Sequence, residues 1–303
     1  MRYLLYLIIS IAARNVNSQT VLPSFSGIHY KKSTDWSPSD VTISGWIDAS
    51  DSENYTTGSG NELAGVTDKS GTSSFNVNGT PTIVSAGLNN LSVFDFSGTS
   101  ENIISASYIS HTDGSGNHWA IGVFLADNVN NKRDSFWSFH TTTSPVRDYS
   151  ISSATSSNSW PGEIDLDGLS NNSNRISSTM GNGQDWSTSA SIDNWHIVVA
   201  IFNKTGNRIQ VRLNGSFVVN VSDYDNSIQT SQDLRLMRNR GSVHLDGRVA
   251  EFFSVKDIPG TGGTDISDVE KAEGYLAHKW GLTGNLPVTH PVSYTHLTLP
   301  TKA

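Results

Sequence analysis

Three carboxylates alternate along residues 161–168, where single residues separate Glu163, Asp165 and Asp167. On a β-strand, side chains at alternating positions share one face, so these three carboxylates would project together. Retaining glycoside hydrolases need two carboxyl groups about 5–5.5 Å apart, one to attack the sugar and one to protonate the leaving oxygen. The spacing makes glycoside hydrolysis one interpretation of this segment.

Two features of the same segment argue against catalysis. The spacing resembles the acidic triad of some sandwich glycosidases that act on β-glucans, in which the last residue is a Glu that protonates the leaving oxygen. Here the third position is Asp167, whose shorter side chain would hold the carboxyl back from the leaving group. Gly168 follows directly and indicates a turn at which the strand ends. A strand that ends there cannot hold three carboxylates in a row, and we therefore predict that the protein is not an enzyme.

Calcium binding is a second interpretation of the same residues. Glu163, Asp165 and Asp167 occupy the first, third and fifth positions of a calcium-type loop, and Gly168 occupies the sixth. The twelfth position is Asn174 instead of the bidentate Glu that such a loop uses. A third interpretation, which we favour, is that the carboxylates form the solvated face of a strand entering a turn.

Sugar binding requires an aromatic platform with planar polar groups at its rim. Trp160 and Trp186 lie in a Ser-, Asn- and Gly-rich stretch, and Asn182, Gln184 and Asp185 stand beside Trp186. This set is the candidate ligand-binding site. The alternative is that both tryptophans cover the end of a sandwich as structural plugs.

Composition narrows the possible partners. The chain has 303 residues and a formal net charge of −8, so it lacks the basic footprint of a nucleic-acid or anionic-membrane binder. It has no cysteine, which excludes disulfides and thiolate metal sites. Residues 4–13 form an apolar run after Arg2, with the length of a signal-peptide core, and predict export of the chain. No other segment of the sequence is apolar enough to cross a membrane.

Short apolar runs divided by Gly, Asn, Ser and Asp predict an all-β fold. Residues 208–213 alternate so that Ile209, Val211 and Leu213 face a core while the charged residues face solvent. Asn214-Gly215 then predicts a hairpin turn. Further strands are predicted at residues 121–125, 135–140, 195–202, 217–221 and 249–255.

One helix is predicted near the C-terminus. Ser267 and Glu270 have the spacing of a capping box, with Ser267 as N-cap. Val269, Ala272, Leu276 and Trp280 follow at helical spacing, and Gly281 is placed to end the helix. The predicted fold is therefore a two-sheet antiparallel jelly-roll sandwich with one short C-terminal helix.

Several pieces of the chain, in order, resemble laminin-G-like domains of the concanavalin-A-like lectin and glucanase class. They are residues 46–51 with 68–71, 194–200 with 211–215, 246–252, and 272–282 with Leu286-Pro287 and His290-Pro291. The first and last pieces resemble a subgroup found in environmental bacteria and phages. The resemblance implies a sandwich displayed outside cells or on viral appendages, and it specifies no ligand.

These observations divide the chain into a signal peptide at residues 1–18, a linker at 19–40, a laminin-G-like domain at 41–291 and a tail at 292–303. The tail resembles a translated sequencing adapter, so we exclude it from the fold. The predicted function is a secreted or surface-displayed, non-catalytic module that binds glycans or another surface ligand. The alternatives are a structural or adhesion subunit, for example in a virion, and a glucanase-type hydrolase. The ligand and the oligomeric state stay open.

Overall fold

The computed structural model describes residues 36–107, 109–110, 112–128, 135–140, 147–152, 165–170, 193–206, 208–221, 231–238, 244–257 and 266–291. The chain divides into two units, Met1–Asp35 and Trp36–Ala303, and every described residue belongs to the second unit. No helix among these residues is long and apolar enough to cross a membrane.

The first sheet has eight strands in the order β15-β14-β13-β9-β17-β6-β5, and β1 also pairs with β17. All its pairings are antiparallel. Its strands are β1 (Ile43–Asp48), β5 (Thr82–Leu88), β6 (Leu91–Ser97), β9 (His118–Asn128), β13 (His196–Asn203), β14 (Arg208–Leu213), β15 (Ser216–Val221) and β17 (Asp246–Val255).

The second sheet has nine strands in the order β12-β11-β10-β16-β7-β4-β3-β2, and β8 pairs with β16. Its pairings are antiparallel as well. Its strands are β2 (Tyr55–Thr57), β3 (Leu63–Thr67), β4 (Ser74–Asn78), β7 (Asn102–Ser105), β8 (Ile109–Ser110), β10 (Ser135–His140), β11 (Arg147–Ser152), β12 (Asp165–Ser170) and β16 (Ser231–Leu236).

The main hydrophobic core lies between the two sheets. Phe124 and Phe252 of the first sheet pack against Trp137 of the second, with ring centroids 5.5 Å and 5.4 Å apart. Val211 is fully buried in the same core and Leu213 packs at its margin. The predicted two-sheet antiparallel sandwich is therefore confirmed. Val211 and Leu213 face the core, as predicted.

A second apolar cluster covers the outer face of the first sheet. The helix α1 (Ser267–Lys279) buries Val269, Ala272 and Leu276 against Trp119 and Phe253 of that sheet. Central strands of the sheet are therefore buried on both faces, and residues 197–203 of β13 are all buried. Arg212 of β14 and Glu251 of β17, which alternate with core residues, therefore contact the helix rather than solvent.

The helix agrees with the prediction except at its first turn. Its N-cap is Ile266, which makes no side-chain capping bond, and Ser267 is already helical. The predicted Ser267 cap is therefore wrong by one position, because the chain enters the helix earlier than the capping-box spacing suggested. At the other end, Trp280 is the C-cap and Gly281 follows with φ of +72°, as predicted.

The predicted strands are present, with bounds that differ by a few residues. Asn214 and Gly215, at φ of +48° and +80°, form the two-residue turn between β14 and β15. Trp36, assigned to the linker, packs against Phe253 and Tyr275. This residue precedes position 41, the predicted start of the domain, and lies in the second unit.

Candidate functional site

One face of the nine-stranded sheet points away from the core and is polar. Cross-strand pairs Asn76↔Ile104, Ile104↔Arg235 and Arg235↔Ser138 form a row across it. Asn78 pairs with Asn102 in the next row, and Asp233 lies two residues before Arg235 on β16. We call this surface the polar face and define it by the side chains of Asn76, Asn78, Asn102, Ser138, Asp233 and Arg235. Asn76 and Asn78 are exposed and Asp233 is half-buried, whereas the other three are buried.

The polar face offers hydrogen-bonding groups of several kinds. Asn78 donates from Nδ2 to Oδ1 of Asn102 over 3.0 Å, which orients two planar amides. An Arg235 nitrogen lies 3.6 Å from Oδ2 of Asp233, so a guanidinium and a carboxylate stand together. Such planar and charged groups match the hydroxyls of a sugar better than they match an apolar ligand.

The alternation of residue types along the sequence is a signal for these outward-facing residues. Ser74–Asn78 alternates polar and apolar residues, as does Asp233-Leu234-Arg235-Leu236. A period of two predicts one buried and one outward face. It does not predict which strands become neighbours, and so it could not place Asn76 in line with Arg235.

Asp165 and Asp167, of the predicted carboxylate row, lie in β12 at the edge of the nine-stranded sheet. Asp167 pairs with Ser150, which pairs with Ser138 of the polar face, so position 167 is in the same row. Gly168 does not end the strand, because β12 continues to Ser170 and Gly168 pairs with Tyr149. The predicted turn at Gly168 is therefore wrong.

The other candidate ligand and metal residues lie outside the described residues. They are Trp160, Glu163, Asn182, Gln184, Asp185 and Trp186. Among residues whose side chains are described, no group of three His, Asp or Glu is arranged to hold a metal ion. Calcium binding at Glu163, Asp165 and Asp167 stays a prediction.

A buried charged cluster lies on the opposite side of the molecule, beneath α1. Lys279 of the helix places Nζ 2.8 Å from Oδ2 of Asp48 and 2.7 Å from Oε2 of Glu251. Lys69 supplies a second ammonium, 2.8 Å from Asp48 Oδ2. We call Asp48, Lys69, Glu251 and Lys279 the helix anchor, because they join the sandwich to α1.

Aromatic donors complete the coordination of Glu251. The indole nitrogen of Trp46 donates to Oε1 and that of Trp280 donates to Oε2, both over 2.9 Å. The hydroxyl of Tyr275 also donates to Oε1, over 3.1 Å. Every oxygen of this fully buried carboxylate is thus hydrogen-bonded, which is the condition under which a buried charge is tolerated.

The pKa values of the two anchor carboxylates are shifted in opposite directions. Burial, reinforced by the charge of Asp48, raises the pKa of Glu251 above its ordinary value despite the contact with Lys279. Burial also opposes ionisation of Asp48. The charge of Lys279, with hydrogen bonds from Lys279, Lys69 and Ser50, outweighs it and lowers the pKa of Asp48. Burial and the neighbouring Glu251 raise the pKa of Tyr275, which keeps its hydroxyl a donor.

A second ionic network joins α1 to β14. Arg212 donates from two nitrogens to the two oxygens of Glu273, each over 2.9 Å, and Glu273 is fully buried. His290 Nε2 lies 2.9 Å from the same carboxylate. The expectation that the charged residues of β14 face solvent is therefore wrong for Arg212, because the helix covers that face of the sheet.

The motif pieces noted in the sequence converge on these two networks. Trp46 and Asp48 come from the first piece, Glu251 from the strand piece, and Lys279 with Trp280 from the helix piece. Their geometry accounts for the residue types through packing and charge compensation. These motifs therefore specify how the helix is attached to the sandwich.

No family profile matches the sequence, and no curated protein matches it. Solved structures resemble it in fold. Domain 4 of an extracellular arabinanase from Geobacillus stearothermophilus, in complex with arabinotriose, is 10% identical with a TM-score of 0.48, covering 76% of this chain and 98% of that domain. Trypanosoma rangeli sialidase in complex with sialic acid is 8% identical with a TM-score of 0.48, covering 78% of this chain and 33% of the sialidase.

The binding domain of botulinum neurotoxin DC, in complex with SialylT, is also similar. It is 14% identical with a TM-score of 0.49, and the match covers 78% of this chain and 51% of that domain. This chain therefore spans about a third of the sialidase and half of the neurotoxin domain. Similarity at this level does not argue for a shared ligand or activity.

Proposed function

We propose that the protein is a glycan-binding module and that the polar face is its ligand-contacting surface. The observation that carries this proposal is that the helix covers the outer face of one sheet, whereas the outer face of the other sheet carries polar side chains. The helix and its apolar cluster occupy the outer face of the eight-stranded sheet. The outer face of the other sheet presents the exposed amides of Asn76 and Asn78 and the partly exposed carboxylate of Asp233, in rows with buried polar residues.

The dimensions of the polar face suit an extended ligand. The row from Asn76 to position 167 crosses six neighbouring strands, β4, β7, β16, β10, β11 and β12. With strands about 4.8 Å apart, that row is about 24 Å long, enough for several linked sugar rings. Trp160 and Trp186 remain the proposed stacking platform, with Asn182, Gln184 and Asp185 at its rim.

A glycan array probed with the full chain, with and without calcium, tests the proposal. Asn76 is exposed, so Asn76→Ala removes an amide from the polar face without opening the core. Loss of a neutral hydrogen bond of about 0.5–1.5 kcal/mol weakens binding by about 2–10-fold. The matched control is Asn220→Ala, an exposed strand asparagine of the other sheet.

Two outcomes would overturn this assignment. Absence of binding to any glycan, with or without calcium, would leave the structural or adhesion role in a displayed assembly as the better account. Binding that Asn220→Ala weakens and Asn76→Ala leaves unchanged would place the ligand on the eight-stranded sheet. Calcium acts at the predicted carboxylates if its removal abolishes binding and Asp165→Asn has the same effect.

Hydrolysis is the second candidate, and one observation removes an argument against it. Because β12 continues through Gly168, positions 165 and 167 stay on one strand at the edge of the polar face. Asp167 is still shorter than the usual proton donor, so we expect no release of reducing sugar from laminarin, lichenan, agarose or carrageenan. Turnover that disappears in Glu163→Gln would make the protein an enzyme.

A further inference from the structure

Two Asn-Gly pairs lie in the described part of the chain, Asn78-Gly79 and Asn214-Gly215. This dipeptide is prone to spontaneous deamidation, because glycine has no side chain to hinder attack of its backbone nitrogen on the preceding side-chain amide. The two pairs share the same chemistry. Any difference in their reaction rates must therefore come from the structure around them.

The amide of Asn214 is held at both ends. Its Oδ1 accepts a hydrogen bond from the backbone nitrogen of Ile197 over 2.9 Å, and its Nδ2 lies 3.0 Å from Nδ1 of His196. The carbonyl of Gly215 accepts from Arg212 over 2.6 Å. Attack of the Gly215 nitrogen requires the side chain and the turn to rotate, so these bonds must first break.

Asn78 is held much less firmly. It is the last residue of β4, its side chain is exposed, and its amide makes one hydrogen bond, from Nδ2 to Asn102. Gly79 is exposed as well and has left the strand, with φ of +72°. Fraying of this strand end exposes the Asn78 amide to its neighbour without opening any buried network.

We infer that Asn78 is a site of spontaneous deamidation in the folded protein and that the fold protects Asn214. The backbone nitrogen of Gly79 loses its proton to hydroxide and forms a bond to Cγ of Asn78. The bond between Cγ and Nδ2 breaks, and the nitrogen leaves as ammonia after taking a proton from water. Water then opens the cyclic imide to give aspartate or isoaspartate, so water is the only co-reactant.

The product would change the polar face. Deamidation replaces an amide that donates to Asn102 with a carboxylate that cannot donate, on the surface that also carries Asp233 and Arg235. The modification itself follows from the local geometry alone. Its consequence for glycan binding rests on the proposed function and is measured separately.

The test is incubation of the full chain in mildly alkaline buffer, followed by peptide mass spectrometry and an isoaspartate-specific methyltransferase assay. Deamidation is read from the mass gained when NH2 is replaced by OH. We expect the deamidation rate of the Asn78 peptide to exceed that of the Asn214 peptide by about tenfold or more, because the structure around Asn214 must first open. In urea the two rates should become similar. Asn78→Gln should abolish the signal of the first peptide, because glutamine cyclises much more slowly.

Three results would contradict the inference. They are equal rates at Asn78 and Asn214 in the folded protein, faster reaction at Asn214, and an unmodified Asn78 that reacts only in urea. Glycan binding of the aged protein is then compared with that of fresh protein. If deamidated protein binds as well as fresh protein, the deamidation inference still holds, but Asn78 is not a ligand contact.

Discussion

Asp48 and Glu251 stand directly opposite each other on adjacent strands, β1 and β17, and both project toward the helix. Like charges in such a cross-strand pair repel and destabilise a sheet. Lys279 resolves the conflict by contacting both carboxylates from the last turn of α1. The strand pair therefore requires the helix, and the helix is tied to this position on the sheet.

Removal of that lysine tests the helix anchor. Lys279→Met should lower the free energy of unfolding by about 3–5 kcal/mol, because it leaves two buried carboxylates with a single ammonium. The matched control is Lys271→Met on the same helix, whose exposed pair with Asp268 should contribute less than about 1 kcal/mol. Urea unfolding midpoints at constant m-value measure both. Equal, small effects would show that the anchor contributes little.

The two anchor carboxylates predict opposite pH dependences. The pKa of Asp48 is lowered in the fold, so its contribution is present above its unfolded value near 3.8 and is lost as the pH falls toward the folded pKa. The pKa of Glu251 is raised, so its contribution is complete below about 4.5 and is lost as the pH rises through the folded pKa.

Two neutral variants separate these contributions. The destabilisation caused by Asp48→Asn should shrink as the pH falls below about 3.8. The stability of Glu251→Gln relative to the native protein should instead improve as the pH rises above about 4.5. Thermal unfolding midpoints across this range measure both. Parallel pH profiles for the two variants would contradict the opposite shifts.

Arg212 and Arg208 provide a second matched pair, on one strand. Arg212→Met should cost about 3–5 kcal/mol, because it strips the buried carboxylate of Glu273 of its bidentate partner. Arg208→Met removes only a hydrogen bond to the exposed Asn220 and should cost less than about 1 kcal/mol. Chemical denaturation of the two variants measures both losses in the free energy of unfolding. A larger loss from Arg208→Met would contradict the placement of α1 over the Arg212 end of β14.

The turn at Gly215 predicts a strong dependence on residue size. An added methyl group would lie 2.8 Å from Cδ2 of His290, and the backbone has φ of +80°. Gly215→Ala should therefore cost about 1–3 kcal/mol through contact and backbone strain. Gly284→Ala is the control, since a methyl group there meets nothing within 4 Å. Similar melting temperatures for both variants would argue against the close approach of the C-terminal segment.

The sequence by itself determined the local elements of this protein. Alternation placed Val211 and Leu213 toward the core, and Asn214-Gly215 marked the hairpin turn. Helical spacing identified Leu276 and Trp280 as buried residues of the C-terminal helix region. These features depend on neighbours within a few residues, so periodicity and turn chemistry were sufficient to predict them.

Tertiary structure alone decided what lies on each outer face. Arg212 and Glu251 occupy positions that alternate with core residues and would face solvent on an uncovered sheet, yet α1 buries both. Asn76 and Arg235 share a row only because β4, β7 and β16 are neighbours. Strand partners and helix docking join residues far apart along the chain, and their energies come from contacts that no local pattern encodes.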